Sequence, residues 1–182
     1  MNRRLKPAGL AIIFLAVVGT VTAQEEAKEK PAAEIKAVRI VPASLSGGAQ
    51  WTKILVDLRT TPKWIDGMQV SVTALCGDGS PERPYTILSG MARYINVPRG
   101  DNTGVLFVSP KTTARYGGVT AAKADIYLND RVVSSAEYKE GGKPPAKWEA
   151  TYDRREGALL PITSTPWLAV EYDKYPDTLG GR

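Results

Sequence analysis

Two stretches of this chain alternate apolar and polar residues with a period of two, and no stretch after residue 23 carries a convincing helical period. In WTKILVDLRT, Ile54, Val56 and Leu58 fall on one face and Lys53, Asp57 and Arg59 on the other. MQVSVTALC repeats the pattern with Met68, Val70, Val72 and Ala74. Successive strand side chains point to opposite faces, so this period makes half-buried strands and argues against a helical or parallel α/β fold.

The same reading extends along the chain. EIKAVRIVP puts Val38 and Ile40 on one face, with Pro42 ending the run. YTILSGMARYINV reads as one long strand or two short ones, with Gly90 marking a bulge. VLFVSP is short and apolar, WEATYD reads as a further strand, and KTTARYGG has room for a brief helix. ADIYLNDRVVSSAEY is the cleanest hairpin, because Asn129 and Asp130 tolerate the positive φ angles of a tight two-residue turn. The segments TPK, GDGSPERP, PRGDNTG and EGGKPP punctuate these runs as turns. The tail, LLPITSTPWLAVEYDKYPDTLGGR, predicts an ordered but irregular wrap in which LAVEY forms a short strand or a helical turn. The expected fold is all-β: an immunoglobulin-like antiparallel β-sandwich of seven to nine strands, with at most a short helix.

The first 23 residues follow a different logic. Arg3, Arg4 and Lys6 precede an apolar run, Leu10–Ala23, and Val21-Thr22-Ala23 places small side chains before Gln24. This is the layout of a secretory signal peptide removed after Ala23. A rival reading is a retained helix of the type IV pilin kind, cut before Leu10. Against it, Pro7 sits in the cut site, Phe14 stands where pilins carry a glutamate, and fourteen helical residues span about 21 Å, short of a bilayer core of about 30 Å. A lipoprotein would need a cysteine at the end of the run, where there is none. The domain plan is therefore a signal peptide at 1–23, a flexible charged linker at 24–33 and the sandwich with its wrap at 34–182. It implies an exported protein of the periplasm, outer-membrane surface or medium, with no transmembrane anchor after cleavage.

Charge and composition exclude several functions. The net charge is +5, but removal of residues 1–23 takes away three basic residues and no acid, leaving +2. With no basic cluster interleaved with aromatics, nucleic acid is not an expected partner. There is no histidine, so no Ser-His-Asp triad, Cys-His pair or Cys₂His₂ zinc site can form. Ser134-Ser135 with Lys139, the carboxylate pairs Asp57/Asp66 and Glu149/Asp153, and the oxygen-rich loops Asp78-Gly79-Ser80 and Asp101-Asn102-Thr103 read as solvated surface and turn chemistry. No cofactor or metal is expected, and no catalytic residues. Cys76, the single cysteine, reads as a buried inert thiol or, alternatively, as one half of an intermolecular disulfide. The aromatics Trp148, Tyr152, Trp167, Tyr172 and Tyr175 crowd the tail; they either lid the core or form a contact surface for a protein partner or a glycan, with Trp148, Tyr152, Trp167 and Tyr175 as the contact candidates.

WTKILVDLRT, KWIDGMQVSVTALC and ADIYLNDRVV together resemble the middle strands and late hairpin of an immunoglobulin-like domain, from about 34 to 138. Trp64 stands near the start of the third strand, where such domains often bury a tryptophan; the inter-sheet disulfide has no counterpart here. The whole layout is also similar to small exported verrucomicrobial proteins that accompany type IV pilus-like genes, and to archaeal pilins and flagellar filament subunits with an immunoglobulin-like outer domain. LLPITSTPWLAVEYDKYPD resembles the closing segment of the verrucomicrobial group. The resemblance implies a non-enzymatic structural or accessory role in a type IV pilus-like or envelope assembly, through protein–protein contact at a strand edge such as KAVRIVP or at an aromatic patch, with homo-oligomers as possible partners. The alternative is a carbohydrate-binding or adhesin-like module facing host or cell-wall glycans.

Overall fold

A computed structural model describes residues 31–45, 48–139 and 144–179. The signal-peptide and pilin-type readings, and linker residues 24–30, lie outside the described residues. Seven long strands build the body: β1 (Ala33–Ser44), β2 (Gln50–Ile65), β3 (Met68–Cys76), β4 (Thr86–Tyr94), β5 (Val97–Val108), β6 (Val119–Leu128) and β7 (Arg131–Lys139). A short helix, α1 (Pro110–Tyr116), links β5 to β6 where KTTARY predicted one. The Ser109 hydroxyl caps its first turn by accepting from the Thr112 N–H at 3.2 Å. The tail adds α2 (Trp148–Thr151), β8 (Arg154–Glu156), β9 (Leu160–Pro161), a 3₁₀ turn (Ile162–Ser164), α3 (Leu168–Glu171) and β10 (Thr178–Leu179).

One sheet has the order β1-β2-β5-β9, and the other β10-β4-β3-β6-β7, with β8 also paired to β4. All pairings are antiparallel except β8 on β4. The chain crosses between sheets at Asp66-Gly67 and at Ile95-Asn96, so β1-β2-β5 faces β4-β3-β6-β7. That strand distribution is the immunoglobulin-like sandwich. The total of ten strands exceeds the expected seven to nine because the tail adds three of only two or three residues each.

Alternation fixes the core. Ile54, Val56 and Leu58 from β2 meet Met68, Val70, Val72 and Ala74 from β3 and Ala122, Ala124 and Ile126 from β6 in one buried cluster. Each fully buried aliphatic side chain contributes about 1.5–3 kcal/mol over its exposed state. Tyr94 is fully buried beneath them, and its hydroxyl accepts from the Val105 N–H at 2.7 Å. The β6–β7 hairpin turns at Asn129 (φ 49°) and Asp130 (φ 60°), as the two-residue turn requires.

Six local expectations differ from the structure. Pro42 does not end the first run, since β1 continues to Ser44, and TPK is not a turn but lies inside β2. Trp64 is 56 % exposed rather than buried: β2 continues to Ile65, and it is Ile65, one residue on, that faces the core. Gly90 makes no bulge, since the β3–β4 register is unbroken from Met68↔Tyr94 to Cys76↔Thr86. It is needed because the tail crosses there; a Cβ on Gly90 would lie 2.6 Å from the Leu159 Cβ and closer still to its carbonyl oxygen. PRGDNTG is not a turn but the first half of β5. Opposite the β2 irregularity between Thr60 and Trp64, the Asn102 amide donates to the Pro98 and Gly100 carbonyls (2.9 and 3.1 Å), replacing part of the interrupted ladder. WEATYD begins as a helical turn, not a strand, following Lys147 in a left-handed conformation.

Candidate functional site

Residues 144–179 fasten the side of the sandwich where β4 and β5 are the outer strands. The α2 turn lays Trp148 on the outer face of the β4-β3-β6 sheet, against Leu75, Ile87 and Ala121. Beside it, Glu149 accepts from the Lys123 ammonium at 2.9 Å, and Tyr152 packs on Tyr85 with ring centroids 5.2 Å apart. Next, β8 pairs with β4 over Ile87–Ser89, the chain crosses at Gly90, and β9 pairs with β5 at Leu106 and Phe107. The wrap then covers the outer face of the β1-β2-β5 sheet before β10 returns to β4 at Arg93 and Tyr94.

The cover on that outer face is aromatic with a charge at its centre. Trp167 stacks on Phe107 at 6.0 Å, and Trp51 makes a T-shaped contact with Phe107 at 6.3 Å. The Lys53 ammonium sits 3.9 Å from the Trp167 ring centroid and donates to Glu171 Oε2 at 2.6 Å. Both charges are buried. Glu171 also accepts from Lys174 at 3.0 Å and from the Tyr175 hydroxyl at 3.2 Å. Burial pushes the Glu171 carboxyl up, but the hydrogen bonds from Lys53 and Lys174 outweigh it and hold the group below its ordinary value. Burial and the Glu171 charge push Tyr175 up to about 12.

This ion pair inverts the polarity of α3. Glu171 is 6 % exposed, whereas Val170 is 57 % and Tyr172 73 % exposed, and Leu168 is exposed beside them. Because the charged residue occupies the inward position, the apolar residues of LAVEY point to solvent. A cavity of about 250 Å³ opens next to them, lined by Leu168, Tyr172, Tyr175 and Asp177 among others. An exposed apolar cluster on a pinned backbone can bury area against another protein at little ordering cost.

The residues singled out from the sequence divide between cover and surface. Trp148 and Trp167 are each 5 % exposed and lid the outer faces of the two sheets, while Tyr152 and Tyr175 are half-buried beside them. The four do not converge: Trp148 and Tyr152 lie on one sheet, Trp167 and Tyr175 on the other. Cys76 is a free thiol buried at the end of β3, and burial pushes it up to about 12; a bond to a second chain would require that strand end to open. Of the acids considered, Asp57 holds a two-pronged contact with Arg39 (2.6 and 2.8 Å), Asp101 pairs with Arg59, and Asp78 accepts from the Ser80 N–H. Ser134 accepts from the Ile35 N–H at 2.9 Å and Ser135 donates to Asp125. Leu168 and Val170 had gone unnoticed as surface groups; nothing local in LAVEY says that its glutamate is the buried residue.

A protein-family model described as “-like” matches residues 49–181. The chain belongs to that “-like” family. Its match begins just before β2 and runs through the tail, so the wrap is part of what the family shares. No curated protein matches the chain. Among solved structures, a crystal structure of a protein from Akkermansia muciniphila is similar over 82 % of this chain and 93 % of its own, with 18 % identity and a TM-score of 0.63. This verrucomicrobial protein shares the fold. A β-glucosidase from Kluyveromyces marxianus, solved with glucose, matches 59 % of this chain and 13 % of its own at 16 % identity and a TM-score of 0.29, too low for any argument. Among the described residues, no helix is long and apolar enough to cross a membrane, and no group of three or more Cys, Asp or Glu could hold a metal ion.

Proposed function

We propose that this is an exported, non-enzymatic structural or accessory protein of a type IV pilus-like or envelope assembly, and that it works by protein–protein contact through the α3 surface. The observation that carries the reading is the inverted helix: Leu168, Val170 and Tyr172 face solvent because Glu171 is held inward by Lys53, Lys174 and Tyr175. Family membership and the fold shared with a verrucomicrobial protein support the wider setting. Contact through this patch is better supported than strand addition at β1. That edge strand carries a register shift at Lys36, the charged Arg39 and Pro42, features that discourage pairing. The glycan alternative has less support, since both tail tryptophans are buried under the wrap and offer no stacking platform.

The test is fractionation of the host envelope with the native protein and with Val170→Asp and Tyr172→Ser, each checked for an unchanged melting transition. The native protein should be recovered with pilus-like or envelope assemblies and the variants released from them. Equal recovery of all three would overturn the contact role of α3. Intact mass tests export: a start at Gln24 is expected, and a start at Gly9 or Leu10 would instead favour a retained pilin-type helix.

A further inference from the structure

The cavity of about 250 Å³ beside α3 combines an apolar and aromatic lining with one charge and one unspent hydroxyl. Leu168, Pro176 and the rings of Tyr172 and Tyr175 supply the first; Asp177 is the single charged residue of the lining, and Thr163 also lines it. The Thr163 hydroxyl oxygen is buried and has no hydrogen-bond partner among the described residues. A buried polar atom left in that state is a hydrogen-bonding capacity that the fold itself does not use.

The Asp177 charge is likewise unmatched. Its backbone is held in place, because its carbonyl accepts from the Ile95 N–H at 2.8 Å, but its carboxylate meets only the neutral Asn96 amide, which donates to Oδ2 at 3.4 Å. It makes no ion pair among the described residues. The lysines of this region are already committed, since Lys53 and Lys174 both donate to Glu171. These features select the occupant. An acidic side chain would meet the Asp177 charge with its own, and an aliphatic one would desolvate that carboxylate and leave the Thr163 hydroxyl unsatisfied. A guanidinium fits all four demands: it only donates, it pairs with a carboxylate, it stacks on aromatic faces, and its three-carbon stem covers apolar surface.

We propose that this cavity receives an arginine side chain of the partner protein that docks on α3. The guanidinium pairs with the Asp177 carboxylate, donates to the Thr163 hydroxyl and lies against the Tyr172 ring, while the stem covers Leu168 and Pro176 and the flanking apolar residues of the partner cover Val170. An arginine anchored in a pocket and ringed by apolar contacts is a common centre of binding energy in protein interfaces. The inference rests on the reading of α3 as a contact surface and adds the chemistry that the partner must present there.

The experiment is titration of the ¹⁵N-labelled protein with two peptides, acetyl-Leu-Arg-Leu-amide and the same peptide with citrulline, which keeps the shape of arginine without its charge. The arginine peptide should give saturable shifts centred on the amides of Thr163, Leu168, Tyr172 and Thr178. The citrulline peptide should bind at least about tenfold more weakly, the loss expected for a charge-assisted hydrogen bond. Asp177→Asn keeps the backbone bond to Ile95 and should reduce the arginine peptide to the citrulline level. No saturable shift, shifts scattered away from these residues, or undiminished binding to Asp177→Asn would each overturn the proposal. Equal binding of the two peptides at α3 would refute the arginine site while leaving α3 as a contact surface. The predicted binding, with Val170→Asp and Tyr172→Ser still recovered in the envelope fraction, would support the arginine site and refute the role of α3 in the assembly. If Asp177→Asn fails to fold, the two peptides on the native protein decide alone.

Discussion

The two sides of the sandwich solve the same problem in opposite ways. Where β1 and β7 are the outer strands, the chain protects each edge with local devices. There is a register shift and a proline in β1, a further shift in β7 opposite Ile126/Tyr127, and a cross-sheet bond from Ile35 to Ser134. Where β4 and β5 are the outer strands, Pro98 and an irregular register protect only the start of β5, and β4 and the end of β5 are covered by segments that arrive some 55 to 85 residues later in sequence. The first solution tolerates independent repair of each edge. The second makes the stability of the sheet depend on a tail, and lets the same tail carry the exposed surface.

Breaking the tail crossing should have the largest effect. Gly90→Val places side-chain atoms where Leu159 now passes, and overpacking at so tight a contact should cost about 3 kcal/mol, read as a lower urea midpoint. Loss below about 0.5 kcal/mol would mean that the tail does not cross there. Next is the buried pair. Lys53→Met strands Glu171 without its main partner, and the cost should be about 2 kcal/mol, less than for a fully isolated charge because Lys174 and Tyr175 still reach the carboxylate. Combining Lys53→Met with Glu171→Leu should recover much of that loss.

The same pair sets an acid limit. The Glu171 carboxyl is held below its ordinary value of 4.5, so its contribution is present above that value and is lost as pH falls through the folded-state pKa. Thermal melts from pH 6 downward should therefore show a steeper loss below about pH 4.5 in the native protein than in Glu171→Gln. Equal slopes would remove the pair from the account. The smallest effect belongs to the opposite side. Asp57→Asn breaks the contact with Arg39, but Arg39 is half exposed, so after solvent screening the cost should be about 0.5 kcal/mol and should shrink further in salt. A large effect there would erase the contrast between the two sides.

What could be read from the sequence follows the same division. Ile54, Val56, Leu58, Val70 and Val72 announced their strands because period two is a local signal, and Asn129-Asp130 announced its turn for the same reason. The bulge expected at Gly90 failed because the glycine answers to Leu159, 69 residues away. Trp64 misled because strand length beyond Thr60 depends on cross-strand bonds from Thr60 to the Pro98 carbonyl and from Arg99 to the Thr61 carbonyl, partners that no window around Trp64 contains. The tail aromatics cluster in sequence, but the two indoles are cover, and of that cluster it is Tyr172 that is most exposed, beside Leu168 and Val170, which no local signal marks. That exchange was set by Lys53, 118 residues before Glu171.

Residue-resolved amide exchange along β4 tests the central claim most directly, because three amides of one strand edge report on the tail at once. Ile87 and Ile95 donate to tail carbonyls and should be protected to nearly the global stability of the fold, while Met91 between them should exchange orders of magnitude faster. Fast exchange at all three would mean that the tail does not seal this side of the sandwich, and uniform protection would mean that the tail leaves no gap at Met91 between the pairing of β8, which ends at Ser89, and that of β10, which begins at Arg93.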